Sequence, residues 1–199
     1  MDVVPIQQAI LSVYEKSGVV DLGRALKAHG THILSTGGTG RALHESGIEY
    51  QEVSDYTGSP EMLGGRVKTL HPMIHGGILF KRNDPKQVEE AGEFDVKPID
   101  LVVVNLYPFQ QTIAKPGVTL DEALENIDIG GPTMIRAAAK NFKAVTVITE
   151  PDDYNVVVEE IRKHNGVTLE TRKRLAAKAF MHTHQYDRAI TGYLQSVKL

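Results

Sequence analysis

Arg66, Lys68 and His71 stand within the seven residues Arg66-Val67-Lys68-Thr69-Leu70-His71-Pro72, flanked by Gly64-Gly65 and Gly76-Gly77. Arginine offers a planar fork for oxyanions and carbonyls, and lysine a movable point charge. A segment of this kind can grip an anionic or carbonyl-bearing ligand. Neither a buried strand nor an amphipathic helix uses such a mixture, and the glycines and proline mark a shaped loop. Binding and catalysis concentrate on loops carried by rigid scaffolds. A solvated basic loop has the same composition, so the choice rests on three further segments.

Ser35-Thr36-Gly37-Gly38-Thr39-Gly40 falls between a predicted strand and a predicted helix. Glycines let the backbone approach a ligand closely, and the helix start presents unpaired N–H groups to an anion. The segment matches neither the triphosphatase nor the dinucleotide glycine pattern; it suits a phosphate cradle or a tight strand-to-helix turn. Ser12-Val13-Tyr14-Glu15-Lys16-Ser17-Gly18 leaves the first strand at the same sheet edge, where ligands of parallel sheets bind. Lys16 could reach a phosphate held at Thr36 to Thr39, or it is an exposed loop lysine. Asn105-Leu106-Tyr107-Pro108-Phe109 leaves the central strand there too. Asn105 can read both donor and acceptor atoms of an amide, while Tyr107 and Phe109 also suit core packing.

Asn126-Ile127-Asp128-Ile129-Gly130-Gly131-Pro132-Thr133 leads into a predicted helix over Thr133 to Lys140. Its N–H groups would face a developing negative charge. Arg136 and Lys140 are four apart and share a helix face. A lysine near Arg136 and Lys68, and partly desolvated, would lose basicity and could move protons near neutral pH. Asp128 could orient that lysine or carry the proton itself. An exposed helix with an N-terminal Asp and a C-terminal Lys is the plainer alternative. His71 and His75 are separated by Pro72 in a glycine-rich region, and His182 and His184 have no third ligand nearby, so no metal site is expected.

These loops need a scaffold, and the rest of the chain supplies one. Its 199 residues are 41% hydrophobic and 24% charged, enough for one full core. The net charge of −3 gives no global field for nucleic acid, so an anion must be bound locally. Without cysteine there are no disulfides, thiolate nucleophiles or Cys-ligated zinc. No apolar run reaches the ~20 residues of a membrane span, and Met1-Asp2-Val3-Val4-Pro5 lacks the features of a signal peptide; a cytoplasmic protein is expected. Ala9 to Val13, His32 to Ser35, Ile99 to Leu106 and Ala144 to Ile148 read as strands. The run Leu101-Val102-Val103-Val104 suits a central parallel strand buried on both faces. Val19 to His29, Arg41 to Glu45, Leu120 to Asn126 and Pro151 to Lys163 read as helices. Leu169 to Leu194 reads as one long amphipathic helix or two in succession. Alternating strands and helices predict an α/β fold with a mostly parallel sheet between helix layers. One domain is expected over residues 1–199, with the C-terminal helical segment of about 168–196 packed on it.

Taken together these segments resemble the IMP cyclohydrolase domain, the amino-terminal half of the bifunctional enzyme that ends purine biosynthesis. The carrying motifs are Ser35-Thr36-Gly37-Gly38-Thr39, Val53-Ser54-Asp55-Tyr56-Thr57-Gly58, Pro60 to Pro72, Asn105-Leu106-Tyr107-Pro108-Phe109, Asp128-Ile129-Gly130-Gly131-Pro132-Thr133 and Arg136-Ala137-Ala138-Ala139-Lys140-Asn141. The resemblance runs from about Ile10 to Leu194. It implies a three-layer α/β/α, methylglyoxal-synthase-like fold. It implies closure of 5-formamidoimidazole-4-carboxamide ribotide to IMP with loss of water, with no cofactor and no metal, in a homodimer. It places Ser12, Tyr14, Glu15, Lys16 and Thr36-Gly37-Gly38-Thr39 around the nucleotide and Arg66-Val67-Lys68-Thr69 at the base. Val104-Asn105 and Asp128-Ile129-Gly130 complete that pocket. Lys140 is its proton-transfer residue, supported by Asp128, Lys68 and Tyr107. Tyr14, Glu15 and Ser17 depart from the Ser, Asp and Thr usual in that loop. The formyltransferase half has no counterpart in these residues, so no folate is expected. A methylglyoxal-synthase-type lyase and a non-catalytic purine-nucleotide-sensing module are the alternatives.

Overall fold

The computed structural model describes residues 2–60 and 62–197. Met1, Lys198 and Leu199, at the ends of the expected domain, and Glu61, within the Pro60 to Pro72 motif, lie outside the described residues. In chain order the elements are β1 (Val3–Val4), β2 (Gln8–Val13), α1 (Val19–Ala28), β3 (His32–Ser35), α2 (Gly37–Glu45), β4 (Gln51–Glu52), α3 (Val53–Thr57), α4 (Pro72–Leu79), α5 (Pro85–Glu93), β5 (Leu101–Asn105), α6 (Phe109–Ile113), α7 (Leu120–Glu125), α8 (Gly130–Lys140), β6 (Thr146–Ile148), α9 (Tyr154–His164), β7 (Val167–Thr168) and α10 (Leu169–Ser196).

Five strands form a parallel sheet in the order β4-β3-β2-β5-β6, and β1 pairs antiparallel with β7 in a separate ribbon. Side chains alternate across a strand, so each face receives every second residue. On one face Ala9, Leu11, Val13, Leu101 and Val103 pack against α1 and α9. On the other Ile10, Val102, Val104 and Val147 pack against α4, α8 and α10. Both faces are covered, which is why the β5 run is apolar throughout.

The topology positions the site. The chain leaves β2 toward β3 on one side and returns to β5 on the other, so the order reverses at β2. A crevice opens at such a reversal, outside the carboxyl ends of the strands. At the opposite rim the Asp100 carboxylate accepts the N–H groups of Gln7 and Gln8 at 2.8 and 2.9 Å and pairs with Arg82.

Several boundaries differ from the sequence reading. The basic segment is a loop only as far as His71. Its side chain caps α4 by accepting the Met73 N–H at 3.2 Å, and Pro72 takes the first helical position. The glycines at 76 and 77 are therefore helical, and Gly77 faces the Lys97 carbonyl where a Cβ would stand 2.5 Å away. Likewise α2 and α8 begin on their glycines, before Arg41 and Thr133. Pro151–Asp153 forms a separate 3-10 turn ahead of α9, and the C-terminal segment is one helix. The short elements α3, α5 and α6 were not expected, since none carries a full apolar period.

Candidate active site

Four turns at the carboxyl rim enclose a cleft of about 670 Å³. The first turn follows β2 and is shaped by Asn105. Its Oδ1 accepts the N–H groups of Tyr14 and Glu15 at 2.7 and 2.9 Å, and its Nδ2 donates to the Glu15 carbonyl at 3.0 Å. The amide of Asn105 thus holds the chain's own backbone while the residue also lines the cleft. Tyr14 stacks edge-on against Tyr107, ring centroids 4.6 Å apart, and the pair walls the cleft. Glu15 turns away: its carboxylate accepts from the Ser17 hydroxyl and N–H, which hold its pKa below the ordinary value.

The second turn opens α2. The Thr39 hydroxyl accepts the Val13 N–H and donates to the Val13 carbonyl, both at 2.9 Å, which ties the helix start to the end of β2. Thr36 Oγ1 is buried and has no partner. Lys16 donates to the Tyr14 carbonyl at 3.1 Å, and its Nζ lies 3.4 Å from where a Cβ on Gly38 would stand. Leading N–H groups, an unpaired hydroxyl and an ammonium therefore meet at one point, which is an anion cradle.

Across the cleft lie the basic loop and the start of α8. Arg66 pairs with Glu125, a cleft residue that sequence reasoning passed over. Lys68 lines the same wall, and Thr69 is buried beside it. Asp128 is fixed twice: Gly131 N–H donates to its Oδ1 at 2.9 Å, and its own N–H donates to the Tyr186 hydroxyl at 2.7 Å. Burial raises the Asp128 pKa above the ordinary 3.8, against the opposing pull of the Gly131 N–H. Gly130 and Gly131 are required by close approach. A Cβ on Gly130 would stand 2.5 Å from Thr69 Oγ1, and one on Gly131 would stand 2.4 Å from Asp128 Oδ2.

Of the residues singled out from sequence, the cleft is lined by Ser12, Tyr14, Thr36 to Thr39, Arg66, Lys68, Thr69, Val104, Asn105, Tyr107, Asp128, Ile129 and Gly130. Lys16 lies against it, while Glu15 and Val67 face outward. Lys140 is not brought to the cleft. It ends α8, ten residues from Gly130, which is about 15 Å of helical rise. There it is exposed and borders a separate cavity with Arg82, Asp100 and Lys143. Sharing a face with Arg136 does not place Lys140 near Asp128, because axial distance separates them. Among the described residues no three His, Asp or Glu side chains are arranged to hold a metal ion.

A parallel sheet whose reversal point carries a glycine-started helix, opposed by a half-buried carboxyl, defines the class: the chain belongs to the MGS-like domain family, whose profile matches residues 18–133. Residues 138–199 match the profile of the AICARFT/IMPCHase bienzyme. The chain is 55% identical over 193 residues to the bifunctional purine biosynthesis protein PurH of Acidithiobacillus ferrooxidans, covering 96% of this chain and 37% of that protein. It is 53% identical over 192 residues to the protein of the same name from Listeria welshimeri, covering 96% of this chain and 38% of that one. It thus spans under two-fifths of the length of these relatives. A crystal structure of ForH, 36% identical, superposes with a TM-score of 0.82 over 94% of this chain and 97% of that one. Among the described residues no helix is long and apolar enough to cross a membrane.

Proposed function

We propose that this chain is an IMP cyclohydrolase that closes 5-formamidoimidazole-4-carboxamide ribotide to IMP without a cofactor, in the cytoplasm. In the reverse sense it is a hydrolase acting on a cyclic amidine. The observation that carries the reading is the pairing, across one cleft, of an anion cradle at α2 with a half-buried carboxyl just ahead of α8. The cleft's size suits a nucleoside monophosphate, and the relatives named for purine biosynthesis support that substrate class. The bienzyme profile over residues 138–199 favours ring closure over a methylglyoxal-synthase-type reaction.

The roles follow from the chemistry of ring closure. The carboxamide nitrogen bonds to the formyl carbon and gives up a proton, while the formyl oxygen takes one. The C–O bond then breaks. The oxygen leaves as water with a second proton, and the former formamido nitrogen loses its proton as the C=N bond forms. Both reacting groups sit on one molecule, so the protein mainly holds the reactive rotamer, a contribution of up to roughly 7–11 kcal/mol in favourable cases. We assign the α2 start, Thr36 and Lys16 to the phosphate. Arg66, Lys68 and Thr69 hold the carbonyl side, with Lys68 beside the oxygen that gains charge. Asp128 as the carboxylate takes the nitrogen's proton and returns it to the leaving oxygen. Tyr14 and Tyr107 pack the heterocycle. Lys140, at the far end of α8, takes no step in this scheme.

Because the carboxylate form of Asp128 starts the reaction, activity should fall as pH drops through its raised pKa, so the acidic limb lies above the ordinary 3.8. The assay is the absorbance change on ring closure by the purified 199-residue chain. Production of methylglyoxal from dihydroxyacetone phosphate would give the lyase instead, and ribotide binding without turnover a sensing module. Lys16→Met should raise KM about tenfold with kcat unchanged, the scale of one charge-assisted contact. That difference should shrink as salt rises. A homodimer would show twice the chain mass in light scattering.

A further inference from the structure

The long helix α10 sits on the face of the sheet that carries α8, and Phe109 reaches it from the start of α6. The Phe109 ring meets Tyr186 edge-on at 6.4 Å and Tyr193 at 5.6 Å. Of these two tyrosines, Tyr186 alone bonds to the candidate site, where its hydroxyl accepts the Asp128 N–H at 2.7 Å. That contact bridges 58 positions of sequence. Asp128 precedes α8 on the short link from α7, so its backbone is not fixed by a helical ladder. Its carboxylate accepts the N–H of Gly131 in the helix's first turn.

We propose that Tyr186 is a positioning residue for ring closure: its hydroxyl, held by packing on Phe109, fixes the Asp128 backbone so that the carboxyl faces the cleft. This rests on the cyclohydrolase reading. Tyr186 touches no reacting atom and acts through Asp128. Half-buried, it keeps its proton well past neutrality, since burial raises its pKa against the opposing donation from the Asp128 N–H. The acceptor oxygen therefore stays neutral over the working range. Besides Asp128, the charged and titratable groups on the cleft walls are Tyr14, Arg66, Lys68, Tyr107 and Glu125, and Asp187 flanks Tyr186 on α10.

The test compares Tyr186→Phe with Tyr193→Phe in the whole chain. Both remove a hydroxyl and keep a ring against Phe109, and only the first removes the acceptor of the Asp128 N–H. In Tyr186→Phe kcat should fall about 10- to 100-fold, the scale of a small misplacement of a catalytic group, with KM within about threefold. The Asp128 carboxyl, followed by carbon-13 NMR titration, should move toward the ordinary aspartate value. The loosened link admits water, and the freed N–H can turn toward the carboxylate, so both effects act downward. Tyr193→Phe should change neither. An unchanged kcat and an unchanged titration in Tyr186→Phe overturn the proposal. So does a fall in kcat shared by both variants with the Asp128 titration unmoved, since that is loss of packing alone. If the parent chain does not close the ring, the functional reading falls, and the NMR titration still decides whether Tyr186 positions Asp128.

Discussion

Asp128→Asn is expected to slow ring closure about 10²–10⁴-fold while making the protein harder to unfold at neutral pH. The two effects share one cause. Asp128 is half-buried, partial desolvation raises its pKa, and its Oδ1 accepts the Gly131 N–H at 2.9 Å. Asparagine keeps an oxygen for that N–H and nearly the same shape, so the link before α8 should hold. It has no carboxylate to take the proton, and losing a general base typically costs about 10²–10⁴-fold in kcat. Stability moves the other way. An acid whose folded pKa is raised contributes stability that is fully present below its ordinary value and is lost as pH rises through the raised one. Above that window the parent carries an ionised, poorly solvated carboxylate, and the variant does not. The stability difference, read by urea unfolding, should therefore be small below pH 3.8, grow in favour of the variant as pH rises, and then level off. A variant less stable than its parent at pH 7 would mean that the carboxylate has a partner that outweighs its burial. Such a site, less stable for being functional, is the usual trade between activity and stability.

That trade bears on what the sequence made legible. The strands and their common rim could be read because Val102 and Val104 face one helix layer while Leu101 and Val103 face the other. A run apolar at every position has few other uses. The glycines that open α2 and α8 pointed to close backbone approach, and Gly131 needs it because Asp128 Oδ2 fills the space of a Cβ. Pairwise destinations were not legible. Asn105 has the side chain of an amide reader, yet the amide it reads is the Tyr14–Glu15 backbone. Lys140 has the helical spacing to pair with Arg136, yet periodicity reports a face and is silent on height along the axis. Tyr186 falls in the Leu169 to Leu194 segment, whose pattern says only that it is an amphipathic helix. Only the tertiary fold brings its hydroxyl to Asp128, and no local pattern encodes a contact over 58 residues.

The second large effect is expected at Gly131, where helix propensity and site geometry oppose each other. Alanine is favoured over glycine inside a helix by about 1 kcal/mol, so Gly131→Ala, in the first turn of α8, would stabilise if space allowed. Space does not allow it. The new methyl would stand 2.4 Å from Asp128 Oδ2 and 2.7 Å from Leu106 Cδ2, closer than carbon atoms pack. Leu106 is buried, so the Asp128 carboxyl rotates out more readily, giving up the Gly131 N–H. Overpacking of this kind costs about 1–3 kcal/mol, so the net loss of stability should be only about 0–2 kcal/mol once the propensity gain is subtracted. Catalysis has no such offset. With the carboxyl turned from the substrate, kcat should fall about 100-fold or more, while phosphate binding at α2, on the other side of the cleft, holds KM near its parent value. Gly92→Ala in α5 is the matched control: its Cβ would meet nothing within 4 Å, so it should gain about 0.5–1 kcal/mol and leave turnover alone. If Gly131→Ala instead behaves like Gly92→Ala in both unfolding and turnover, Asp128 is not held where the reaction needs it, and the proton must be carried by another residue.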